Sequence, residues 1–337
     1  MSPGLTSNAS VPIDSPPPAN VAAAYRVCES IARREARNFY YAFLALPRLK
    51  RNAICAVYAF MRHADDLSDD ETVPHEQRRI ALDAWRASWH AADLAYGEGR
   101  AGSIADPVFL ALADARRRFA ISSALLDDLV QGTAMDLHRA GSSHGATAHG
   151  QSVHALHFDV YPTFAALYRY CYLVASVVGL VCIRIFGYED PHAEILAEET
   201  GVAFQLTNIL RDVREDAERG RIYLPVEDME RFGVTADELA HIAAGRHPTL
   251  NQRELLAFEA ARAEHYYRSA EALLALIAAD SRPALWVLVT IYRRLLQRIV
   301  DRNFDVFTQR LRVPTWEKLW ILGRGLLRVA AYRLGRR

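Results

Sequence analysis

The sequence predicts an all-α fold in a single domain, and three observations support this prediction. Of the 337 residues, 51% are hydrophobic, which is enough to build a large core. From Val21 onward the apolar side chains recur at helical spacing, and no stretch shows a convincing strand alternation. No repeat of fixed period and no clear linker interrupts the pattern before Pro314, so one helical domain is the simplest interpretation.

The chain divides into three predicted parts. Residues 1–20 contain five prolines among Ser, Asn and Gly, which predicts a disordered extension. Residues 21–315 form the helical domain, and the Gly-, Ser- and His-rich residues 140–157 within it indicate a flexible insertion. Residues 316–337 form a basic amphipathic tail.

Within the domain, the helices are separated mostly by prolines, because proline ends a helix at its interior positions. Periodicity predicts helical segments within residues 35–70, 128–138, 161–187, 205–216, 255–277 and 283–307, and a loop with a short helix at 232–250. The apolar run 170–183 lies between Arg169 and Arg184 and is too short to span a bilayer, so we expect a buried core helix.

Composition bears on the possible partners of the protein and on its cellular compartment. The formal net charge is zero, so the sequence gives no reason to expect a nucleic-acid partner. The four cysteines are scattered without a CxxC, which favours buried thiols in a reducing compartment. The chain starts without a basic and then apolar signal pattern, so we expect a cytoplasmic protein.

The tail offers two interpretations. Trp, Leu and Val side chains alternate with Lys and Arg over residues 316–337, a pattern typical of helices that lie on anionic lipid surfaces. This predicts peripheral contact with the inner face of the membrane. The alternative is a last helix that packs on the core and presents a solvated basic face. The oligomeric state stays open.

A stripe of polar side chains runs along one otherwise apolar helix. Gln205, Asn208, Asp212 and Asp216 follow at spacings of three, four and four, which places them on one face. Burying such a stripe is costly unless a ligand binds it. Two carboxylates one turn apart, preceded by an amide, form an oxygen surface suited to Mg²⁺, which prefers few protein carboxylates plus waters and phosphates.

Another stripe occurs earlier in the chain; we call it the first stripe, and the stripe that begins at Gln205 the second stripe. Tyr58, Arg62, Asp65 and Asp69 step by four, three and four on another helix. One aspartate pair alone is usually a solvated helix face, but two matching pairs are harder to explain in that way. Four carboxylates facing one cavity would repel each other unless divalent cations neutralise them.

These residues together suggest chemistry on a diphosphate. Mg²⁺, with Mn²⁺ as an alternative, would stabilise a diphosphate leaving group. The allylic cation left behind needs an apolar cavity lined by aromatic rings. Candidate rings are Phe39, Phe43, Tyr58, Tyr172 and Phe204, and candidate phosphate-binding cations are Arg62, Arg211 and Arg221. We expect the Tyr172 hydroxyl to assist proton removal or to steer the cation.

The two stripes and their surroundings resemble the squalene/phytoene synthase family. The similarity lies in YAFMRHADDLSDD at residues 58–70 and NILRDVREDAERGRIYLP at 208–225, with further likeness at NFYYAFLALP, at YCY of 170–172 and at Tyr292. It covers residues from about 25 to about 315. The insertion at 140–157 is longer than the family's usual connection, and Ser176 stands where a glycine is common.

The resemblance implies a helical isoprenoid-synthase bundle around a central apolar cavity. It also implies Mg²⁺-dependent head-to-head joining of two prenyl diphosphates through a cyclopropylcarbinyl diphosphate. By this resemblance Asp65, Asp69, Asn208, Asp212 and Asp216 hold metal, and Tyr172 falls at the catalytic tyrosine. The implied substrate-binding residues are Phe39, Phe43, Tyr58, Arg62, Gln205, Asn208, Arg211, Arg221, Tyr223 and Tyr292.

The substrate length stays open at this point. We expect two C15 units that give presqualene diphosphate or squalene, with a phytoene synthase joining two C20 geranylgeranyl diphosphates as the alternative. Use of NADPH is undecided, because no GxGxxG motif marks a dinucleotide site. The stripe that runs into RIYLP argues against a head-to-tail elongase or a terpene cyclase. A non-catalytic helical scaffold that docks on membranes is a remote alternative that would leave both stripes unexplained.

Overall fold

The computed structural model describes residues 15–70, 72–142, 159–240 and 246–334. The first half of the chain forms α1 (Ala19–Glu35), α2 (Arg37–Phe43), α3 (Arg48–Asp69), α4 (His75–Gly97), α5 (Pro107–Arg118) and α6 (Ser123–Ser142). Asp106 caps α5 by accepting from the Val108 amide at 2.7 Å. Helices α1, α3 and α5 pack together and bury Phe60, Leu112 and Cys28.

The second half contains the two short strands. It comprises β1 (Asp159–Tyr161), α7 (Phe164–Cys171), a π-helical segment (Tyr172–Ser176), α8 (Val177–Phe186), α9 (His192–Glu218), β2 (Arg221–Pro225), α10 (Val226–Arg231), α11 (Ala236–Ala240), α12 (Leu250–Leu276), α13 (Arg282–Asp301) and α14 (Thr315–Leu334). The long helix α9 lies at the centre of this half and packs against α12, the π-helical segment, α8, α13 and β2. The all-α prediction is confirmed, and the helices form one bundle.

The sequence shows no convincing strand alternation, yet the described residues include two short strands. Strands β1 and β2 pair in parallel, with Asp159 opposite Arg221 and Val160 opposite Ile222. In β2 the four residues 222–225 are all buried, so the strand has no alternation of polar and apolar positions to detect. Gly220, at a φ of 74°, ends the preceding helix and turns the chain into β2.

The predicted core helix is longer than expected. The stretch Phe164–Phe186 is continuous and has a mean hydropathy of 1.8, so by length and composition this part of the described chain is able to cross a membrane. The argument from its shortness is therefore wrong. Its place in the bundle still makes it a core helix, because it packs against α9, α6 and α3 and fully buries Val177, Val181 and Ile185.

The structure also bears on the predicted N-terminal extension and on the predicted insertion. Helix α1 begins at Ala19, and the Arg118 side chain donates to the carbonyl oxygen of Ser15 at 2.7 Å. The predicted disorder of residues 1–20 therefore does not hold for residues 15–20, whereas residues 1–14 lie outside the described residues. Most of the predicted insertion, residues 143–157, also lies outside them.

Candidate active site

The second stripe lies along α9, opposite the buried Leu206, Ile209 and Val213. All four of its polar side chains are half-buried. Asp212 accepts from the neighbouring Arg211 at 2.7 Å and forms an ion pair with Arg310 at 3.1 Å. The sequence did not point to Arg310, because this residue lies in a non-helical segment far along the chain from Asp212.

The side-chain amide of Asn208 has hydrogen-bond partners at its nitrogen but not at its oxygen. Its amide nitrogen reaches the Gln205 oxygen at 3.4 Å, and its side chain is hydrogen-bonded to Tyr292 of α13. Its oxygen Oδ1 is buried and has no hydrogen-bond partner in the described part of the chain. An orphaned buried oxygen beside two carboxylates is an open position for a cation ligand.

Tyr292 closes the back of this region. Its ring stacks on Phe204 of α9, with centroids 4.3 Å apart and planes 13° apart. Burial raises the pKa of Tyr292, so its hydroxyl stays protonated at neutral pH even though Arg211 lies nearby.

The first stripe lies along α3. Tyr58, Arg62 and Asp65 are half-buried, and Asp69 is exposed. The Thr133 hydroxyl of α6 donates to Asp65 at 3.1 Å, and burial raises the pKa of Asp65 to about 6 despite this hydrogen bond. Arg62 pairs with Asp66, one position round the helix from the stripe. Arg62 lies near enough to lower the pKa of Asp65 somewhat, but the ion pairs among the described residues include none to the Asp65 carboxylate.

A cleft of about 770 Å³ lies next to the second stripe, because it is lined by Arg211 and Arg310, the two residues that pair with Asp212. Arg211, Arg310 and Lys318 contribute cations to its lining, and Tyr40, Tyr41 and Tyr292 contribute rings. Its mixed basic and aromatic lining differs from the apolar cavity expected from the sequence, because charged side chains share the lining with Leu44, Ile291 and Leu295. Both kinds of lining suit an amphipathic anion with a prenyl chain.

Helix α2 connects this cleft to the first stripe. Tyr40 lies edge-on to Phe43 at 6.5 Å between centroids, and Phe43 lies edge-on to Tyr58 of α3 at 6.4 Å. A continuous series of aromatic contacts thus runs from the lining of the cleft to the start of the first stripe. The side chain of Phe39, also on α2, lies outside the described part of the structure.

Tyr172 begins the π-helical segment. Its half-buried ring lies under the Arg169 guanidinium, 5.6 Å from the centroid, and burial raises its pKa, with a further contribution from the nearby Asp128 carboxylate. The Tyr172 hydroxyl therefore stays protonated at neutral pH. Single-turn π-helical segments are frequent at functional sites.

Two glycines flank this segment. A Cβ on Gly132 of α6 would lie 2.6 Å from the Leu173 carbonyl oxygen, and a Cβ on Gly201 of α9 would lie 2.4 Å from Ser176 Cα. Ser176 donates to the Glu198 carbonyl at 2.6 Å and stays fully buried. Sequence reasoning missed both glycines, although an isolated glycine inside a helical pattern is the signal that marks such close contacts.

The other predicted residues lie elsewhere. Tyr223 is buried between Tyr170, at 5.0 Å, and Tyr161, at 5.9 Å, so it does not line the cleft. Arg221 begins β2 opposite Asp159 in the ladder. Within the described ranges, no three His, Cys, Asp or Glu side chains converge as a complete metal-binding group. Each stripe therefore offers a partial set of ligands that waters and substrate oxygens would complete.

The helical bundle and its two aspartate stripes define a class, the isoprenoid synthases that act on prenyl diphosphates. The sequence profile of the family described as squalene/phytoene synthase matches residues 32–317. The chain belongs to this family, and it is a prenyltransferase that joins prenyl diphosphates head to head. The remote scaffold alternative is therefore not supported.

Named relatives give further detail. The chain is 34% identical to a 15-cis-phytoene synthase from Synechococcus elongatus, over 92% of this chain and 94% of that protein. It is 36% identical to a phytoene synthase from Mycobacterium tuberculosis, over 90% of each chain. Among solved structures, a dehydrosqualene synthase with a bound ligand is similar at a TM-score of 0.74, with 31% identity over 93% of this chain and 98% of that chain.

Proposed function

We propose that this protein is a phytoene synthase that condenses two C20 geranylgeranyl diphosphates. The observation that supports the proposal is the set of relatives named phytoene synthase, which are 33–36% identical over at least nine-tenths of this chain. These relatives favour the C20 alternative over the expected pair of C15 units. Joining two C15 units is the second candidate, because the dehydrosqualene synthase structure is 31% identical.

The substrate length is tested with purified protein, Mg²⁺ and either C15 or C20 diphosphate, each with and without NADPH. We expect a C40 hydrocarbon from the C20 substrate, formed without reductant because the last cation is quenched by loss of a proton. A C30 product as the preferred outcome would overturn the C20 assignment. A product that forms only with NADPH would overturn the proton-loss step.

The proposed cofactor is Mg²⁺, with Mn²⁺ as a substitute. Asp65 and Asp69 would hold it on α3, and Asn208, Asp212 and Asp216 on α9. The residues fit a cation, because the Asn208 oxygen lacks a partner and burial raises the pKa of Asp65. When bound, Mg²⁺ would stabilise the negative charge of the departing diphosphate.

In this proposal the side chains of the protein bind the phosphates, stabilise the cation and handle the proton. Arg211 and Arg62 are placed to bind phosphate oxygens, with forked donors suited to that geometry. The rings of Tyr40, Phe43 and Tyr58, which contact one another in series, would offer π-faces to the allylic cation. In this proposal the Tyr172 hydroxyl assists proton removal or steers the cation.

The cofactor is tested by binding as well as by activity. After treatment with EDTA, we expect Mn²⁺ to bind the protein in the presence of a non-hydrolysable prenyl diphosphate analogue, measured by its paramagnetic resonance signal. Asp212→Asn should weaken that binding, whereas Glu218→Gln, at the exposed end of the same helix, should not. Equal binding to the wild type and to Asp212→Asn would exclude the assigned ligands.

The proposal includes peripheral contact with the membrane through α14. The helix buries Ile321, Leu322 and Gly325 against α13, so the interpretation as a packed helix accounts for one face. The opposite side exposes large apolar side chains at helical spacing, namely Trp316, Leu319, Trp320, Leu326 and Leu327. Lys318, Arg324 and Arg328 lie around them. This combination fits an anionic inner leaflet and a cytoplasmic protein.

The contact is tested by sedimentation with vesicles. We expect the triple substitution Trp316→Ser, Trp320→Ser and Leu327→Ser to abolish co-sedimentation while activity on detergent-dispersed substrate is kept. The matched control is Ile80→Ser with Leu94→Ser, which removes exposed apolar side chains from α4. Equal sedimentation of the triple variant and the wild type would refute membrane contact through α14.

A further inference from the structure

A second, strongly basic cleft borders the candidate active site and shares Arg310, Leu311 and Arg312 with its lining. It has a volume of about 380 Å³ and is formed by the end of α13 and the segment that leads to α14. Five guanidinium groups and one carboxylate lie in its lining, which consists of Arg294, Arg298, Asp301, Arg302, Gln309, Arg310, Leu311 and Arg312. We call this space the arginine cleft.

The arginine cleft is not neutralised by its surroundings. Glu317 of α14 binds Arg294 at 2.5 Å and also pairs with Arg298. Arg310 is held by Asp212 and by Glu215, the latter at 2.9 Å. Arg302 and Arg312 have no carboxylate within ion-pair distance in the described part of the chain, so positive charge remains at the cleft.

The backbone of residues 307–313 determines the direction of the arginines that it carries. Along residues 310–313, exposed arginines alternate with the buried Leu311 and Val313, so Arg310 and Arg312 point outward from the same segment. The Arg214 side chain donates to the Phe307 carbonyl at 2.8 Å and anchors the segment to α9. The last carbonyls of α13 already accept from the amides of residues 302–304, so the guanidiniums are not needed to cap them.

The chemistry of the lining selects an anion with several oxygens. Arginine forks match phosphate geometry better than a point charge does, and clustered arginines are typical of phosphate recognition. Burial lowers the pKa of the neighbouring Lys318, and the Arg312 charge adds to this effect.

The position of the arginine cleft decides which phosphate it meets. Glu317 links the cleft to the first two turns of α14, where Trp316 and Trp320 are 69% and 56% exposed. We propose that the arginine cleft binds the phosphate group of an anionic phospholipid at the membrane surface. This inference rests on the proposed membrane contact through α14, and soluble phosphate is the other source of the same chemistry.

The test distinguishes a defined phosphate site in the arginine cleft from non-specific electrostatic attraction to the protein surface. Arg302→Gln with Arg312→Gln removes the two uncompensated cations, and Arg86→Gln with Arg100→Gln removes the same charge from the exposed surface around α4. The probe is water-soluble dihexanoyl phosphatidylglycerol in isothermal titration. We expect saturable one-site binding that weakens about thirtyfold in the first variant, at roughly 1 kcal/mol for each arginine, and is unchanged in the control.

The alternative outcomes are distinct. If no saturable binding occurs, or if both double variants lose it equally, the arginine cleft is not a headgroup site. If inorganic phosphate binds as tightly as the lipid and displaces it, the lipid assignment is wrong. Failure of the α14 contact gives a different pattern, because the triple variant of Trp316, Trp320 and Leu327 would then sediment with anionic vesicles as the wild type does.

Discussion

Gly201→Ala should separate two helices of the candidate active site. The new Cβ would lie 2.4 Å from Ser176 Cα, 2.6 Å from its nitrogen and 2.9 Å from the Ala175 carbonyl carbon. These are backbone atoms, so no side-chain rotation relieves the contact. Because carbon atoms normally rest about 3.5–4.0 Å apart, α9 and the π-helical segment must move apart by roughly 1 Å.

The cost of this movement can be estimated. Overpacking of this kind destabilises by about 1–3 kcal/mol. A chain of this length unfolds with an entropy near 0.7 kcal/mol/K, so 3 kcal/mol lowers Tm by about 4 °C. The larger effect is expected on kcat, because a shift of about 1 Å in Tyr172 relative to the aspartate helix can cost roughly a hundredfold.

The assay combines thermal unfolding, followed by circular dichroism, with steady-state kinetics. Gly323→Ala is the matched control, since nothing lies within 4 Å of its added Cβ. It should leave activity unchanged and stabilise α14 by up to about 1 kcal/mol. A Gly201→Ala enzyme with wild-type Tm and kcat would show that close approach at this glycine does not position Tyr172.

Three further predictions follow from the structure. Asp65→Asn and Asp212→Asn should each lower kcat by several orders of magnitude with little change in Tm. The control Glu218→Gln should keep full turnover. A near-normal kcat in either aspartate variant would show that the substituted aspartate is not a metal ligand. Asp114→Asn should destabilise the fold by about 3–5 kcal/mol, because this fully buried carboxylate accepts from two tyrosines and an arginine; urea unfolding measures the loss, and an unchanged midpoint would contradict it. Burial raises the pKa of Glu259 to about 8, so the folded state holds this proton more tightly than the unfolded state and stability should fall as pH rises from about 4.5 to about 8. Glu259→Gln should flatten that dependence in urea titrations, and a pH slope identical to that of the wild type would assign it to other groups.

The sequence predicted the features that depend on local spacing. Helical periodicity and the two polar stripes follow directly from steps of three and four residues, because these steps fix which side chains share a helix face. The π-helical segment and the strand β2 were missed, since neither has a periodic signature of its own. The π-helical segment depends on glycines in α6 and α9, and β2 depends on a partner strand elsewhere in the chain.

The two stripes look equivalent in the sequence, but their tertiary partners make them electrostatically different. Asp65 receives one hydroxyl from Thr133, which is 68 residues away, and burial keeps its pKa raised. Asp212 instead lies between the guanidiniums of Arg211 and Arg310, so its charge is compensated before any ligand binds. A cation at the first stripe therefore supplies charge that the protein lacks, whereas one at the second must share a carboxylate with arginine. Spacing along one helix contains no information about Thr133 or Arg310, and this is why the asymmetry between the stripes emerges only from the folded chain.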